Sequence, residues 1–460
     1  MHVSGYRFLV HRMEHALVRG DTRMLDDPLR AQSISLAAGA VLAGIAVVVC
    51  AILALVKPVG ELGDAPIVVV RDTGAMYVRI GDVVHPVLNL ASARLIAGTS
   101  ADPRVVSQRA VDRAHRGPLL GIPGAPGAIS TPLTQQESSW MVCDDARGET
   151  SVIAGEIADG PVASGPVVLV TPRDGGAATT YLLYGGHRAR VDLRHHAVVR
   201  ALHLDDVVPK PISSVVLSAI PESPEIMAPH IPNAGSPGPG TLRDYPVGAV
   251  LKVARATADV AGAEDYFVVL ADGVQRIGEV AADLIRYTDS RVGEQIPTVA
   301  PDIVGALPIV DTLPVTTFPE RKGVTEALTV CARWDADPAG GAASSTVLVG
   351  DAPPMISQPV ALAQADGDGP AVDAVSLPAG RSALVRSVGL TGDGQSTGSL
   401  FLVTDTGVLY GVRDTEAASS LGLTAPAQPA PWPVLSVLPA GPELSRDGAS
   451  VAWDGVIPPP

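Results

Sequence analysis

Residues 34–56 read ISLAAGAVLAGIAVVVCAILALV. The stretch contains no Asp, Glu, Lys, Arg, Asn or Gln. As a helix rising 1.5 Å per residue, it is long enough to cross a hydrocarbon core of ~30 Å. Its apolar residues run all the way round, unlike the one-sided stripe of a soluble surface helix. A secretory signal is the competing reading. Against it, the run begins 33 residues in, is long for a signal core, and has no A-x-A site close behind it. A lipoprotein box at Cys50 would need a small residue before it, and Val49 stands there. The stretch predicts one membrane-spanning helix over 34–56.

The flanks set an expected orientation. Arg7, Arg12, Arg19, Arg23 and Arg30 precede the span, whereas Lys57 is followed by Glu61 and Asp64. Orientation follows Lys and Arg rather than net charge, so the N-terminus is expected in the cytoplasm and the long C-terminal region outside. Within the head, Tyr6, Leu9, Met13 and Leu17 recur at helical spacing among Arg7, His11, Arg12, His15 and Arg19. This is the pattern of a basic amphipathic helix, which fits either the inner leaflet or a partner subunit. Tyr6, Arg7, Phe8, Arg12 and Met13 are the expected partner-binding residues of this head.

Beyond residue 57, 44 acidic residues stand against 27 basic ones. Such a surface argues against nucleic acid as a partner. Aromatic residues are few, while Gly and Pro number 47 and 41. That composition suits short strands and turns in several small units. Two cysteines lie in the external region, in the similar contexts Trp140-Met-Val-Cys143 and Leu328-Thr-Val-Cys331. In an oxidising compartment two cysteines make one possible bridge, and Cys143 and Cys331 are expected to pair with 187 residues between them. The alternative is two separate buried thiols.

Four segments share an apolar strand, a Gly turn, a second strand and a helical stretch. They start at Ile67, Thr180, Tyr266 and Leu400, with Gly74, Gly185, Gly273 and Gly407 at the turns. The cysteine segments fall between them. The expected fold class is α+β: one N-terminal transmembrane helix, then an external ectodomain of four β-rich repeats around a central β domain closed by one disulfide. The expected divisions are a cytoplasmic head (1–33), the span (34–56), a linker with repeat 1 (57–137), the N-terminal half of the central domain (138–175) and repeat 2 (176–225). A linker (226–262), repeat 3 (263–323), the C-terminal half of the central domain (324–390), repeat 4 (391–445) and a Pro-rich tail (446–460) complete the chain. The linker reading rests on the prolines between Pro221 and Pro246.

No catalytic constellation is legible. The sequence lacks a G-x-x-x-x-G-K-[ST] run. Gly394-Gln-Ser396-Thr-Gly398 matches G-x-S-x-G in letters, but an apolar strand rather than a helix follows it. His187, His195, His196 and His203 match no metal-ligand spacing and read as exposed surface, as do His11 and His15, which have no third ligand nearby. Asp366-Gly-Asp368-Gly lacks the remaining ligands of a calcium loop. No metal or cofactor is expected.

The head runs Ser4-Gly-Tyr-Arg-Phe-Leu-Val10, then Arg12-Met-Glu-His-Ala-Leu-Val-Arg19, Asp21-Thr-Arg-Met24 and Asp27-Pro-Leu-Arg30. It resembles the N-terminus of the EccB family, membrane subunits of the mycobacterial type VII (ESX) secretion system, and the resemblance extends over the whole chain. It implies a structural core subunit of an inner-membrane secretion complex, with EccC, EccD and EccE as partners. It further implies self-association through the ectodomain and a mycosin protease as a periplasmic neighbour. Family members are often described as ATPases, so ATP enters by resemblance only, and EccC is the expected motor. A membrane-anchored peptidoglycan-binding protein is the alternative reading.

Overall fold

The structure is a computed structural model describing residues 2–20, 28–56, 62–157, 163–173, 179–254, 264–288, 295–320, 322–393 and 397–455. Most of Gly394–Ser396–Gly398, the C-terminal end of the expected 226–262 linker (255–262) and the last five residues lie outside these.

Two helices open the chain, His2–Arg19 and Pro28–Val56. The second has 29 residues, about 43 Å at 1.5 Å each. The expected span lies inside it, and its described side chains from Ser33 to Ile52 are all exposed. A helix satisfies every backbone hydrogen bond internally, so an apolar surface of this kind is compatible with a bilayer and costly in water.

The rest of the described chain folds as four small mixed sheets, one larger one and a two-stranded pair. The first small sheet is an antiparallel meander of Ile67–Val70, Met76–Ile80 and Val83–Pro86. The helix Leu90–Ala97 follows, and Arg104–Val106 returns parallel to the first strand. After the short helix Gln108–Asp112, His115–Arg116 lies parallel to the third strand. The second sheet repeats this order with Val168–Pro172, Thr180–Tyr184, His187–Val191, the helix His196–Leu202, Lys210–Ile212, the helix Ser214–Ser218 and Glu222–Ser223. The third sheet uses Val250–Ala254, Glu264–Leu270, Gly273–Ile277, the helix Glu279–Thr288 and Thr298–Val299. The fourth uses Arg381–Val388, Leu400–Thr404, Leu409–Val412, the helix Thr415–Leu421 and Gln428–Pro431. In these last two the fifth strand shrinks to parallel bridges, Val274 with Ile309, and Leu409 and Val412 with Ala440 and Leu444.

Local chemistry delimits the helix that follows the meander in the first and fourth sheets. Asn89 and Asp414 accept backbone hydrogen bonds from Ser92 and Ala417 as N-caps, at 2.9 and 2.8 Å. Gly98 and Gly422 end the same helices at φ +65° and +89°, where a side chain would be strained. Tyr77, Tyr181, Tyr266 and Phe401 occupy one shared position. Each faces the first-strand residue (Val68, Val170, Lys252, Val385) that also opens the parallel pairing.

The structure corrects the placement of several strands. The hairpin at Gly74 joins strands one and two of its sheet, whereas those at Gly185, Gly273 and Gly407 join strands two and three. Both turns of the first meander carry a glycine at positive φ, Gly74 and Gly81, so turn chemistry does not separate them. The opening strands Val168–Pro172, Val250–Ala254 and Arg381–Val388 fall where central domain or linker was expected. Each contains only a short apolar stretch, interrupted by Lys252 in one and flanked by Arg and Ser in another, and its partner sheet is a long-range choice.

Further differences lie in the Pro-rich regions. Between Pro221 and Pro246, Glu222–Ser223 pairs with the second sheet, and Ile226 and Leu242 are buried. In the expected tail, Arg446–Ala449 is helical, and Ala452–Trp453 pairs with Leu119–Leu120. The Trp453 indole also donates to Gly121 O at 2.7 Å.

The larger sheet has seven strands in the order Ala163–Ser164, Ser344–Gly350, Thr329–Asp335, Ser139–Asp144, Thr150–Gly155, Ala374–Ser376, Val360–Ala361. The cysteine segments are its adjacent central strands. Trp140, Val142, Val330, Ala332 and Trp334 point to one face, into a core shared with the second and fourth small sheets. Met141, Cys143 and Cys331 point to the other, against Ile153, Ile157 and Leu348. That is the period-2 alternation of strands buried on both sides.

The small sheets pack in pairs. The first shares a core with the fourth, helix Leu90–Ala97 against Thr415–Leu421. The second shares one with the third, helix His196–Leu202 against Glu279–Thr288.

Candidate assembly site

In the head helix, Tyr6 and Met13 lie on one stripe with Leu9 and Leu17, by 100° per residue. Phe8 and Arg12 lie on a different face, and Arg7 flanks the stripe. Tyr6, Phe8 and Met13 are 73%, 57% and 64% exposed. The five expected contact residues therefore present two faces rather than one. His11 sits 3.4 Å from Glu14, an exposed i,i+3 pair.

The body is tied together by joints that link separate segments. Cys143 and Cys331 are disulfide-bonded across the central strand pair. One residue further, Asp144 is almost fully buried and accepts hydrogen bonds from the Arg173 guanidinium and from Ser213 N, the latter at 3.0 Å. Ser213 in turn caps the helix Ser214–Ser218. Arg173 also donates to Gly148 O at 2.6 Å. Burial pushes the Asp144 carboxyl above its ordinary range, and the Arg173 hydrogen bond and charge oppose this. This joint seats the second small sheet on the central sheet.

A second joint ties the fourth sheet to residues 131–137. Arg381 donates to Glu137 Oε1 and Oε2 at 3.1 and 2.8 Å and to Thr131 O and Pro132 O at 3.2 and 3.0 Å. Glu137 also closes a capping box with Thr134. The Arg381 hydrogen bond first, then those from Thr134, hold the Glu137 pKa down at about 2. A third joint is Lys322, which pairs with Glu279 at 2.8 Å and with buried Asp283. A fourth is Gln275, 1% exposed. Its Oε1 accepts from Thr312 N and Leu313 N at 3.0 and 2.8 Å. Its Nε2 donates to Asp311 Oδ1 and Leu313 O at 2.9 and 3.0 Å.

Sequence reasoning missed Asp144, Arg173, Gln275 and Arg381. The one available signal was a lone polar residue at the end of, or inside, an apolar run, and it does not name its partner.

The histidines do not converge. His187 is on a strand with Nδ1 3.0 Å from Gly185 O, while His195 and His203 flank opposite ends of a seven-residue helix. Asp366 accepts from Ala371 N and Asp373 from Asp366 N and Gly367 N, a self-braced turn. Among the described residues no group of three His, Cys, Asp or Glu side chains is placed to hold a metal.

One candidate membrane helix, an exposed basic head and a disulfide-clamped body of paired small sheets together define a membrane-anchored scaffold. The family described as "Type VII secretion system ESX-1, transport TM domain B" matches residues 1–458. The chain belongs to this family, that of EccB. It is 38% identical over 474 residues to the "ESX-3 secretion system ATPase EccB3" of Mycolicibacterium smegmatis, covering 99% of this chain and 90% of the relative. A chain of an intact ESX-5 inner membrane complex is similar at TM-score 0.74 and 31% identity, over 99% of this chain and 95% of that one. An EccB3 dimer from the ESX-3 core complex gives TM-score 0.74 and 35% identity, over 84% of this chain and all of that one.

Proposed function

We propose that this chain is a structural core subunit of a type VII secretion complex in the inner membrane. The observation that carries the reading is similarity over 99% of its length to a subunit of an intact ESX-5 inner membrane complex. The head lies in the cytoplasm, where Tyr6, Arg7, Phe8, Arg12 and Met13 contact EccC, EccD or EccE. The body lies in the periplasm and self-associates, as the dimeric relative supports. The mycosin protease is a periplasmic neighbour. The four small sheets are copies of one repeat unit, supported by their common strand order and the shared aromatic position.

Purification of the tagged full-length protein from native membranes in mild detergent, followed by mass spectrometry, tests the assembly. EccC, EccD and EccE in one large particle is the expected result. Recovery of this chain by itself, under conditions that keep other membrane complexes intact, sinks the reading in favour of an anchored wall-binding protein. Reporter fusions at the two ends test the orientation.

The relatives carry "ATPase" in their names. The function proposed here is structural, because the sequence has no phosphate-cradling G-x-x-x-x-G-K-[ST] loop. ATP turnover by the purified protein that a point substitution abolishes would overturn it.

A further inference from the structure

A cleft of about 750 Å³ opens between the second small sheet and the central sheet. Its floor includes buried Val168 and Val349. Its rim carries Val208 and Leu328, 85% and 56% exposed. No other large apolar side chain described beyond residue 62 is as exposed as Val208. Apolar side chains gathered at the mouth of a cleft mark a contact surface more than scattered ones do.

The charge around this mouth is mainly negative. Asp206, Glu326 and Asp351 line the cleft and are exposed, and none of them pairs with a described residue. Lys210 is the one basic residue among those lining it, and its ammonium already donates to Leu328 O at 2.9 Å. Asp206 adopts φ +62°, a region that non-glycine residues enter sparingly, and the chain leaves this bend through Val207 and Val208. The adjoining strand Lys210–Ile212 is an edge, but Pro211 removes a backbone donor from it. An occupant is therefore held by side chains more than by strand pairing.

We propose that this cleft docks a basic polypeptide segment of a partner protein. Apolar side chains of that segment cover Val208 and Leu328, and its Lys or Arg residues face Asp206, Glu326 and Asp351. A second copy of this chain fits poorly, because its external region is itself strongly acidic. The inference rests on the scaffold reading and adds to it the chemistry of one contact.

The test uses full-length protein in phosphatidylcholine nanodiscs and a labelled hexapeptide of alternating leucine and lysine. A leucine–glutamate hexapeptide and empty nanodiscs are the controls. Fluorescence anisotropy is expected to show saturable, salt-sensitive binding of the lysine peptide only. Affinity is expected to fall at least tenfold in Val208→Asp, and likewise in the triple variant Asp206→Asn, Glu326→Gln, Asp351→Asn. All four positions are exposed, and an unchanged melting temperature checks that the variants fold. Equal affinity in wild type and variants, or no saturable binding, overturns the proposal. So does loss of self-association in Val208→Asp, which would give this face to a second copy. None of these outcomes alters which subunits co-purify, so failure here and failure of the scaffold reading are separable.

Discussion

Cys143 and Cys331 face each other on adjacent antiparallel strands, their Cα atoms 4.1 Å apart and 188 positions apart in sequence. Facing pairs that do not exchange backbone hydrogen bonds have the shorter Cα separation, near 4.5 Å, so this register suits a cross-link. The bridge joins the two halves of the chain in the middle of the sheet that supports the small ones.

Loss of this bridge is expected to weaken the body. In Cys143→Ser, the unfolding midpoint in guanidinium is expected to fall by the equivalent of about 2–5 kcal/mol. Thiol counting on the denatured, unreduced wild type is expected to find one free thiol, Cys50. Three free thiols would refute the pairing.

The Asp144–Arg173 joint is expected to respond asymmetrically. Arg173→Met strands a buried carboxylate and is expected to cost about 3–5 kcal/mol. The double variant Asp144→Leu, Arg173→Met is expected to recover some of that loss. Chemical denaturation of the four members of the cycle checks this, and strict additivity would refute the coupling.

Gln275 is expected to be far more sensitive than its residue type suggests. Gln275→Leu keeps much of the volume but leaves the Thr312 and Leu313 amides without their acceptor. The expected cost is about 1–3 kcal/mol for the buried Leu313 amide, whereas Thr312 is an exposed residue. Hydrogen exchange at those two amides is expected to accelerate, while exchange in the first sheet stays unchanged.

Glu137 gives stability a pH dependence of definite sign. Its folded pKa, about 2, lies below the ordinary 4.5. Its contribution is therefore complete above about pH 4.5 and is lost as the pH falls toward 2. Denaturation midpoints between pH 6 and pH 2 are expected to fall more steeply in wild type than in Glu137→Gln. Arg381→Met is expected to flatten the curve similarly, because the Arg381 hydrogen bond is the largest cause of the lowered pKa.

Where the sequence signal is local, it was legible. The 34–56 run needs no partner to be read, because length and the absence of charged and amide side chains decide it. The two cysteine segments announced themselves by like contexts, and their apolar runs became adjacent strands. The glycine turns at Gly185, Gly273 and Gly407 each joined neighbouring strands. The joints were not legible. Arg381 and Glu137 are 244 positions apart, and nothing near either residue indicates the other.

The sequence by itself determined the candidate membrane helix, the basic head, the acidic body and the short-strand character of the region beyond residue 57. These follow from composition and period, which act over a few residues. Tertiary structure decided which sheet each apolar run enters. It also decided that the first small sheet packs on the fourth and the second on the third. Val168–Pro172 and Arg381–Val388, like the central strands, each carry a short apolar stretch that fits a strand without naming a neighbour. Only the shape and burial available after the chain has collapsed select a partner for them, because hydrophobic burial carries no address of its own.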